Sequence, residues 1–332
     1  VRLCQQCDAK PVHALGLTAH IFRHGITNID AMTDLPENLR QHVKRHTCLP
    51  DVHIASQLRS GDGTTKLLLE MPDGDRVESV LIPGKDRLTL CLSTQQGCAM
   101  GCDFCMTAQA GLKRHLDAGE MVAQVQIAQR EAGKDKVRNL VLMGMGEPLH
   151  NFEQVARFVR IATDPAGMAF APRRVTISTV GLAPAIRRLG ADGLPCNLAV
   201  SLNATTDDVR DRIMPVNRRY PITTLLDAVH DYIAATGKRV LIEYVMLAGV
   251  NDSDADAQRL CWLLAEIPCT INLLPFNEFE GSRYRCPNDT RVSAFRATLV
   301  KAGFIAVVRE SRGRDILAAC GQLFSQRQAC AA

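Results

Sequence analysis

The chain has 332 residues, 46 % hydrophobic and 22 % charged, which suits one large α/β domain plus an appendage. No apolar run is long enough to span a bilayer and VRLCQQCDAK carries no apolar signal core, so the sequence predicts a cytoplasmic chain with no membrane partner. A net charge of +4 permits a nucleic-acid partner without demanding one, 5 % aromatics argue against a base-stacking platform, and thirteen cysteines without a secretory signal favour metal ligands and reactive thiols over a disulfide scaffold.

Residues 1–85 open with HALGLTAHIFRHG and LPENLRQHVKRH, which predict two short helices. HIASQLRSGDGTTKLLLEMPDGDRVESVLIP follows, with Asp62-Gly63 and Asp73-Gly74 placed as hairpin turns, and predicts a small antiparallel meander. From residue 86 the pattern changes. The runs at 88–93, 139–144, 174–179, 197–202, 240–247 and 271–276 are rich in Val, Ile and Leu without alternation, as strands covered on both faces should be. Helical stretches lie between them, near 151–163, 222–236, 253–266 and 289–302. The helix following Asp117 opens with a capping pattern, Asp117 and Glu120. FIAVVRE (304–310) predicts an added edge strand. The expectation is a small α+β accessory domain over 1–85 and an α/β core over 86–332, its parallel sheet either doubly wound or curled into a barrel.

The chemistry is concentrated in GCAMGCDFC, where Cys98, Cys102 and Cys105 stand at C-x3-C-x2-C directly after the first core strand. In α/β barrels that position, the C-terminal end of a strand, carries the active site. A cluster of ordinary buried cysteines is the plain alternative. Structural zinc is a better rival, but it takes four ligands and no second pair follows. Three thiolates on a [4Fe-4S] cluster leave one iron open to a chelating substrate. S-adenosyl-L-methionine (SAM) offers the required amine and carboxylate, and the cofactor then carries the radical chemistry. The loop, with Phe104 before its last cysteine, resembles the signature of the radical SAM superfamily. MGMGEP supplies Gly146 and Glu147 at the next strand tip, similar to that superfamily's motif for the SAM amino group. Ser178, the run Ser201-Leu202-Asn203 and Asn277 end further strands and are candidate SAM contacts.

The stretches TLCLSTQQGCAMGCDFC, GLKRHL, VLMGMGEPL, RRVTISTVG, IEYVMLAGVND, INLLPFN and RGRDILAACGQL resemble the RlmN/Cfr family of radical SAM RNA adenosine methyltransferases over essentially the whole chain. The resemblance implies a partial (β/α)6 TIM-like barrel with an N-terminal accessory domain. It implies that Cys320 accepts a methyl group from one SAM and a second SAM supplies the radical, so two are used per turnover. It further implies that Cys91 resolves the covalent RNA–enzyme intermediate through a transient disulfide with Cys320, and that Glu78 accepts a proton. Without the resemblance, Cys91 reads as a core thiol and Glu78 as a solvated strand residue. Cys48, Cys196, Cys261, Cys269, Cys286 and Cys330 read as structural.

GMGEPL, IEYVML and LLPFNEFEG are more similar to the branch that makes 2-methyladenosine in 23S rRNA and in tRNA. CMTAQAG differs from the usual run of both branches and Asn203 stands where many members have His; methylation at C8 of the same rRNA adenosine is the alternative. A non-catalytic Fe–S RNA-binding protein is a second. The family further implies a reducing partner such as flavodoxin or ferredoxin. Candidate phosphate contacts are Lys113 with Arg114, Arg173 with Arg174, and Arg218 with Arg219.

Overall fold

A computed structural model describes residues 2–47, 50–85, 87–134 and 136–324. Cys48 and Cys330 lie outside them. The N-terminal helices Arg2–Gln6, His13–Thr18 and Glu37–His46 close on a small core of Cys4, Leu17, Met32, Leu39 and Val43. The second helix continues into a π-helical turn, Ala19–Arg23.

The meander is present as β1 (His53–Arg59), β2 (Thr65–Glu70) and β3 (Arg76–Pro83), paired antiparallel. Gly63 and Gly74 take the positive φ of its two turns, and Asp62 and Asp73 each accept from the amide two residues on, at 2.9 and 3.0 Å. β3 also pairs antiparallel with β4 (Leu88–Cys91). One sheet therefore runs through the 85/86 division, and this pairing covers what would otherwise be the first barrel strand's open edge.

After β4 come a short antiparallel ribbon, β5 (Gln95–Gly97) with β6 (Leu112–His115), and then β7 (Val137–Leu142), β8 (Val175–Thr179), β9 (Asn197–Ser201), β10 (Val240–Met246), β11 (Cys269–Pro275) and β12 (Ala306–Val308). From β4 the main sheet runs β4-β7-β8-β9-β10-β11-β12, every pairing parallel. The sheet stays open, with β1 and β12 at its edges. This is the partial (β/α)6 barrel, and β12 is the added strand expected at 304–310.

Helices Ala118–Ala132, Phe152–Thr163, Ala183–Ala191, Ile222–Thr236, Asp254–Leu263 and Asp289–Lys301 make the crossovers. The first is closed by the expected capping box: Glu120 N donates to Asp117 Oδ1 (2.8 Å) and Asp117 N to Glu120 Oε2 (2.9 Å). The sequence reading did not place Ala183–Ala191, whose Pro184 starts the helix rather than breaking it. Strand residues such as Leu140, Ile177, Leu198, Ile242 and Ile271 are fully buried, as unalternating strands require.

A candidate active site at the mouth of the barrel

β4 delivers the chain to the barrel mouth, and the β5–β6 ribbon holds the three-cysteine loop there. Cys98 N donates to Gly111 O (2.8 Å), Asp103 N to Ile213 O (3.0 Å) and Met106 N to Gly321 O (2.8 Å). Gly97 sits at φ +72°, and a Cβ there would lie 1.8 Å from Gly111 O. Gly97→Ala is therefore expected to splay the ribbon and to lower iron incorporation several-fold, read as iron per protein after anaerobic reconstitution; wild-type iron content would refute the close fit.

Cys98, Cys102 and Cys105 line one cavity. Burial pushes all three thiols up, that of Cys98 to about 12. They therefore stay protonated until a metal displaces the protons. Among the described residues no three ligating side chains close on a single ion. A cubane cluster makes no such demand, because its three cysteines bind three different irons. The donor set thus fits a [4Fe-4S] cluster, which three cysteines would leave with one iron free of a protein ligand.

The same cavity is lined by Gly146, Glu147, Ser178, Ser201, Asn203 and Asn277. Gly146 (φ +103°) lets the MGMGEP loop lie on Gln95, and Gln95 Oε1 accepts from Glu147 N (2.8 Å). Glu147 is 2 % exposed, and burial pushes its carboxyl up to about 7. It accepts from Thr179 Oγ1 (2.6 Å), Leu149 N (3.0 Å) and Val180 N (2.9 Å). One acceptor site remains for an ammonium group. Asn203 holds a left-handed backbone, and its side chain is committed to Val245 N (2.8 Å) and Met214 Sδ (3.2 Å). Asn277 Nδ2 donates to Cys320 O (3.2 Å), while its Oδ1 accepts from Arg314 (3.0 Å).

Leu202 sits apart from the other expected SAM contacts. Its side chain is fully buried and outside the cavity lining, its amide bonds Glu243 O (3.0 Å) and its carbonyl accepts from Arg210 (2.9 Å). At the tip of a strand the side chains alternate in direction, so its neighbours reach the cavity and it does not.

Cys91 and Cys320 are brought together from opposite parts of the chain. Cys91 ends β4 beside Val80 and Val141. Cys320 arrives on a C-terminal segment pinned across the mouth. Gly313 N donates to Asp62 Oδ2 (3.0 Å), Lys66 Nζ to Leu317 O (3.2 Å), Thr107 Oγ1 to Leu323 O (2.6 Å) and Gln322 Nε2 to Glu278 O (2.9 Å). Cys320 borders the cluster cavity on one side and, on the other, a smaller cavity shared with Cys91, Met143 and Arg309. Both thiols are free. Burial, then the neighbouring Cys320, raises the Cys91 thiol, and the Arg309 cation opposes both. Cys320 is exposed at the mouth, and desolvation by the surrounding chain pushes its thiol up, with the Arg309 cation opposing.

Glu78 is not a solvated strand residue. It is 5 % exposed, paired with Lys66 Nζ (3.0 Å), and its Oε2 accepts from Phe324 N (2.8 Å). It lines neither cavity but touches the segment whose Leu323 lines both. The basic candidates separate. Arg114 forms a fork on Glu120 (2.8 and 2.9 Å), and Lys113 pairs with Asp75, so both charges are satisfied internally. Arg173 and Arg174 precede β8, at the end of the barrel away from the mouth, and Arg174 bonds Asn139 (3.0 Å). Arg218 and Arg219 are exposed and follow the Ile213–Met214 segment that supports the cluster loop.

Three residues of the site escaped the sequence reading: Arg210, Glu243 and Arg309. Arg210 sits in DVRDRI, which looks like an exposed amphipathic helix and gave no signal. Glu243 did give one, as a lone charge inside the apolar run VLIEYVML.

The radical SAM superfamily profile matches residues 92–261. The chain is 46 % identical over 303 residues to the dual-specificity RNA methyltransferase RlmN of Pelobacter propionicus, covering 91 % of this chain and 86 % of that one. To the protein of the same name from Geobacter sulfurreducens it is 47 % identical over 303 residues, covering 91 % and 83 %. The crystal structure of a radical SAM methyltransferase from Sphaerobacter thermophilus superposes with a TM-score of 0.91 at 43 % identity, covering 98 % of this chain and 96 % of that one.

Proposed function

The chain belongs to the RlmN family of radical SAM RNA methyltransferases, and on that premise we propose that its mouth site makes 2-methyladenosine in 23S rRNA and tRNA through a methylated Cys320. The observation that carries the reading is the position of Cys320, bordered by the three cluster cysteines on one side and by Cys91 on the other. A small-molecule radical SAM enzyme has no need for a thiol pair in that place.

Cys98, Cys102 and Cys105 would hold the [4Fe-4S] cluster, with Gly146, Glu147, Ser178, Ser201, Asn203 and Asn277 around SAM and Leu202 acting through its backbone. When bound, the cluster supplies one electron to SAM, and SAM supplies both a methyl group and a hydrogen-abstracting adenosyl species. The sulfur of Cys320 takes the methyl group and presents it to the target base. Desolvation disfavours its thiolate, and the Arg309 cation offsets part of that penalty. Once that methyl group has given up one hydrogen atom, its carbon would bond to the adenine carbon; Glu78 would accept the proton the adenine carbon loses, and the one electron left over would return to the bound cofactor. The Cys91 thiolate then attacks Cys320 sulfur, and the carbon–sulfur bond breaks with its electron pair going to the methylene carbon. A proton completes the methyl group, and the RNA leaves behind a Cys91–Cys320 disulfide that a two-electron reductant must reopen. The target base must leave its stack to reach this depth.

Arg218 and Arg219 are the exposed cations we assign to RNA phosphates, with the 1–85 segment as a second RNA-contacting surface. The electron donor is a one-electron protein such as flavodoxin or ferredoxin, in the cytoplasm. No helix among the described residues is long and apolar enough to cross a membrane. The deciding experiment purifies the protein anaerobically after co-expression with intact SAM supply, maps Cys320 by mass spectrometry, and identifies the methyladenosine isomer in digested RNA. One added methyl on Cys320 with 2-methyladenosine is expected. An unmodified Cys320 would overturn the route, and 8-methyladenosine would overturn the choice of carbon.

A further inference from the structure

A second cavity opens beside the cysteine ribbon, between β5, β6 and the β2–β3 turn. Its lining includes Gly74, Gln96, Gly97, Gly111, Lys113 and Met145, and its volume is about 250 Å³. Sites for drug-sized ligands run to roughly 300–1,000 Å³, so the space suits one ring system rather than a whole cofactor. Strand alternation decides what faces it. Gln95 turns toward the glycine–glutamate loop, where its side chain bonds Glu147 N (2.8 Å) and His115 Nδ1 (2.8 Å), so Gln96 turns the other way. The buried Oε1 of Gln96 has no hydrogen-bond partner. Exchanging the two ends of the carboxamide would leave the same buried position unpaired. A buried polar atom in that state is unfavourable unless a ligand meets it.

The surroundings restrict that ligand. The charges at the rim are taken up by one another: Arg76 pairs with Glu70 (2.8 Å), Lys113 with Asp75, and Arg114 with Asp73 and Glu120. What remains for a ligand is a neutral carboxamide, which suits a base edge and not a phosphate. An acceptor oxygen beside a donor nitrogen matches adenine, whose edge presents an amino donor beside a ring-nitrogen acceptor. Met145, 2 % exposed, supplies a polarisable apolar wall for the face of the ring. Its sulfur also accepts from Glu78 N (3.5 Å), so one side chain separates this pocket from the residue assigned to the target's proton. Gly74, Gly111 and Lys113 are exposed, which leaves the pocket open to an incoming strand. Single-stranded RNA is read through splayed bases hydrogen-bonded on their edges. We propose that this pocket takes a second unstacked base of the RNA, an adenine flanking the target adenosine, and that Gln96 reads its edge. The inference rests on the RNA methyltransferase reading of the mouth.

The test uses RNA hairpins whose loop carries the target adenosine, with each flanking position in turn adenosine or purine riboside, which lacks the amino group. Binding to anaerobically reconstituted protein is read by fluorescence anisotropy. At one flanking position the wild type should bind the adenosine hairpin about tenfold more tightly, the scale of one bidentate base contact. Gln96→Val, a residue suited to a strand, should lose that preference and bind the purine riboside hairpin as the wild type does. An 8-azidoadenosine at the same position should crosslink on irradiation to the lining of this pocket in the wild type, a result that stands even if the valine variant holds less iron. A wild type indifferent at every flanking position would overturn the proposal, as would a preference that survives in the variant or a crosslink mapped elsewhere. A protein that binds none of the hairpins would bring down the RNA reading, and the pocket with it; one that binds them all equally would bring down only the pocket.

Discussion

Cys320→Ala is expected to lower RNA methylation on the order of a thousandfold or more, the scale seen when an obligate nucleophile is removed, while leaving the cluster and SAM binding in place. The separation follows from where the residue sits. Its backbone, not its sulfur, makes the recorded hydrogen bond to Asn277, and the neighbouring anchors at Gly321, Gln322 and Leu323 do not involve the thiol. An alanine keeps those bonds and deletes only the methyl acceptor. Iron content and SAM affinity should therefore match the wild type, and methyladenosine should vanish. Methyladenosine formed at a normal rate by the variant would exclude Cys320 as carrier. The companion Cys91→Ala keeps the acceptor and deletes its resolver. Here the expected product is an RNA–protein adduct that survives thiol reductants, since the bond holding it is carbon–sulfur rather than disulfide. Free RNA turned over at a normal rate would remove Cys91 from the mechanism.

These two thiols mark the boundary of what local sequence can tell. The three-cysteine loop was legible because its cysteines are close in sequence and their spacing is itself a constraint. The alternating strands and helices were legible for a similar reason: an apolar run bounded by a capping pattern, as at Asp117 and Glu120, is a local statement. Cys91 and Cys320 are joined only by the fold. One lies in an apolar strand, the other past a helical turn near the chain's end, and only the family resemblance paired them before the structure did. The basic residues failed in the opposite direction. Lys113 and Arg114 look free in GLKRHL, yet Asp75, Asp73 and Glu120 reach them from other elements. A charge advertises its own presence in a sequence, but not its partner. Glu78 shows the same limit: its burial depends on Lys66 and Phe324, neither of which is near it in the chain.

Arg210→Met should be the most destabilising single change at the site, by several kcal/mol, and it should weaken SAM binding as well. The guanidinium is fully buried, and among the described residues its hydrogen-bond partners are neutral oxygens rather than carboxylates. Burial pulls its pKa down to about 10, with Cys102, Asp207 and Asp211 opposing that shift, so it remains charged at neutral pH. Its donors go to the carbonyls of Leu202 (2.9 Å), Val180 (2.7 Å) and Ser201 (3.2 Å) and to Asn217 Oδ1 (3.0 Å). Those three carbonyls belong to the tips of β8 and β9, where the strands part to open the cavity and can no longer satisfy one another. Arg210 takes the place of the missing ladder. Methionine matches much of its length but supplies no donor, and each buried carbonyl left unpaired costs about 1–3 kcal/mol. Lysine has its donors on a single nitrogen and cannot span three carbonyls, so Arg210→Lys should recover only part of the loss. Chemical denaturation would measure the first effect and equilibrium dialysis with SAM the second. A methionine variant as stable as the wild type would mean that the strand tips close without the arginine. A variant that loses stability but binds SAM normally would separate the staple from the shape of the cavity beside Val180 and Ser201.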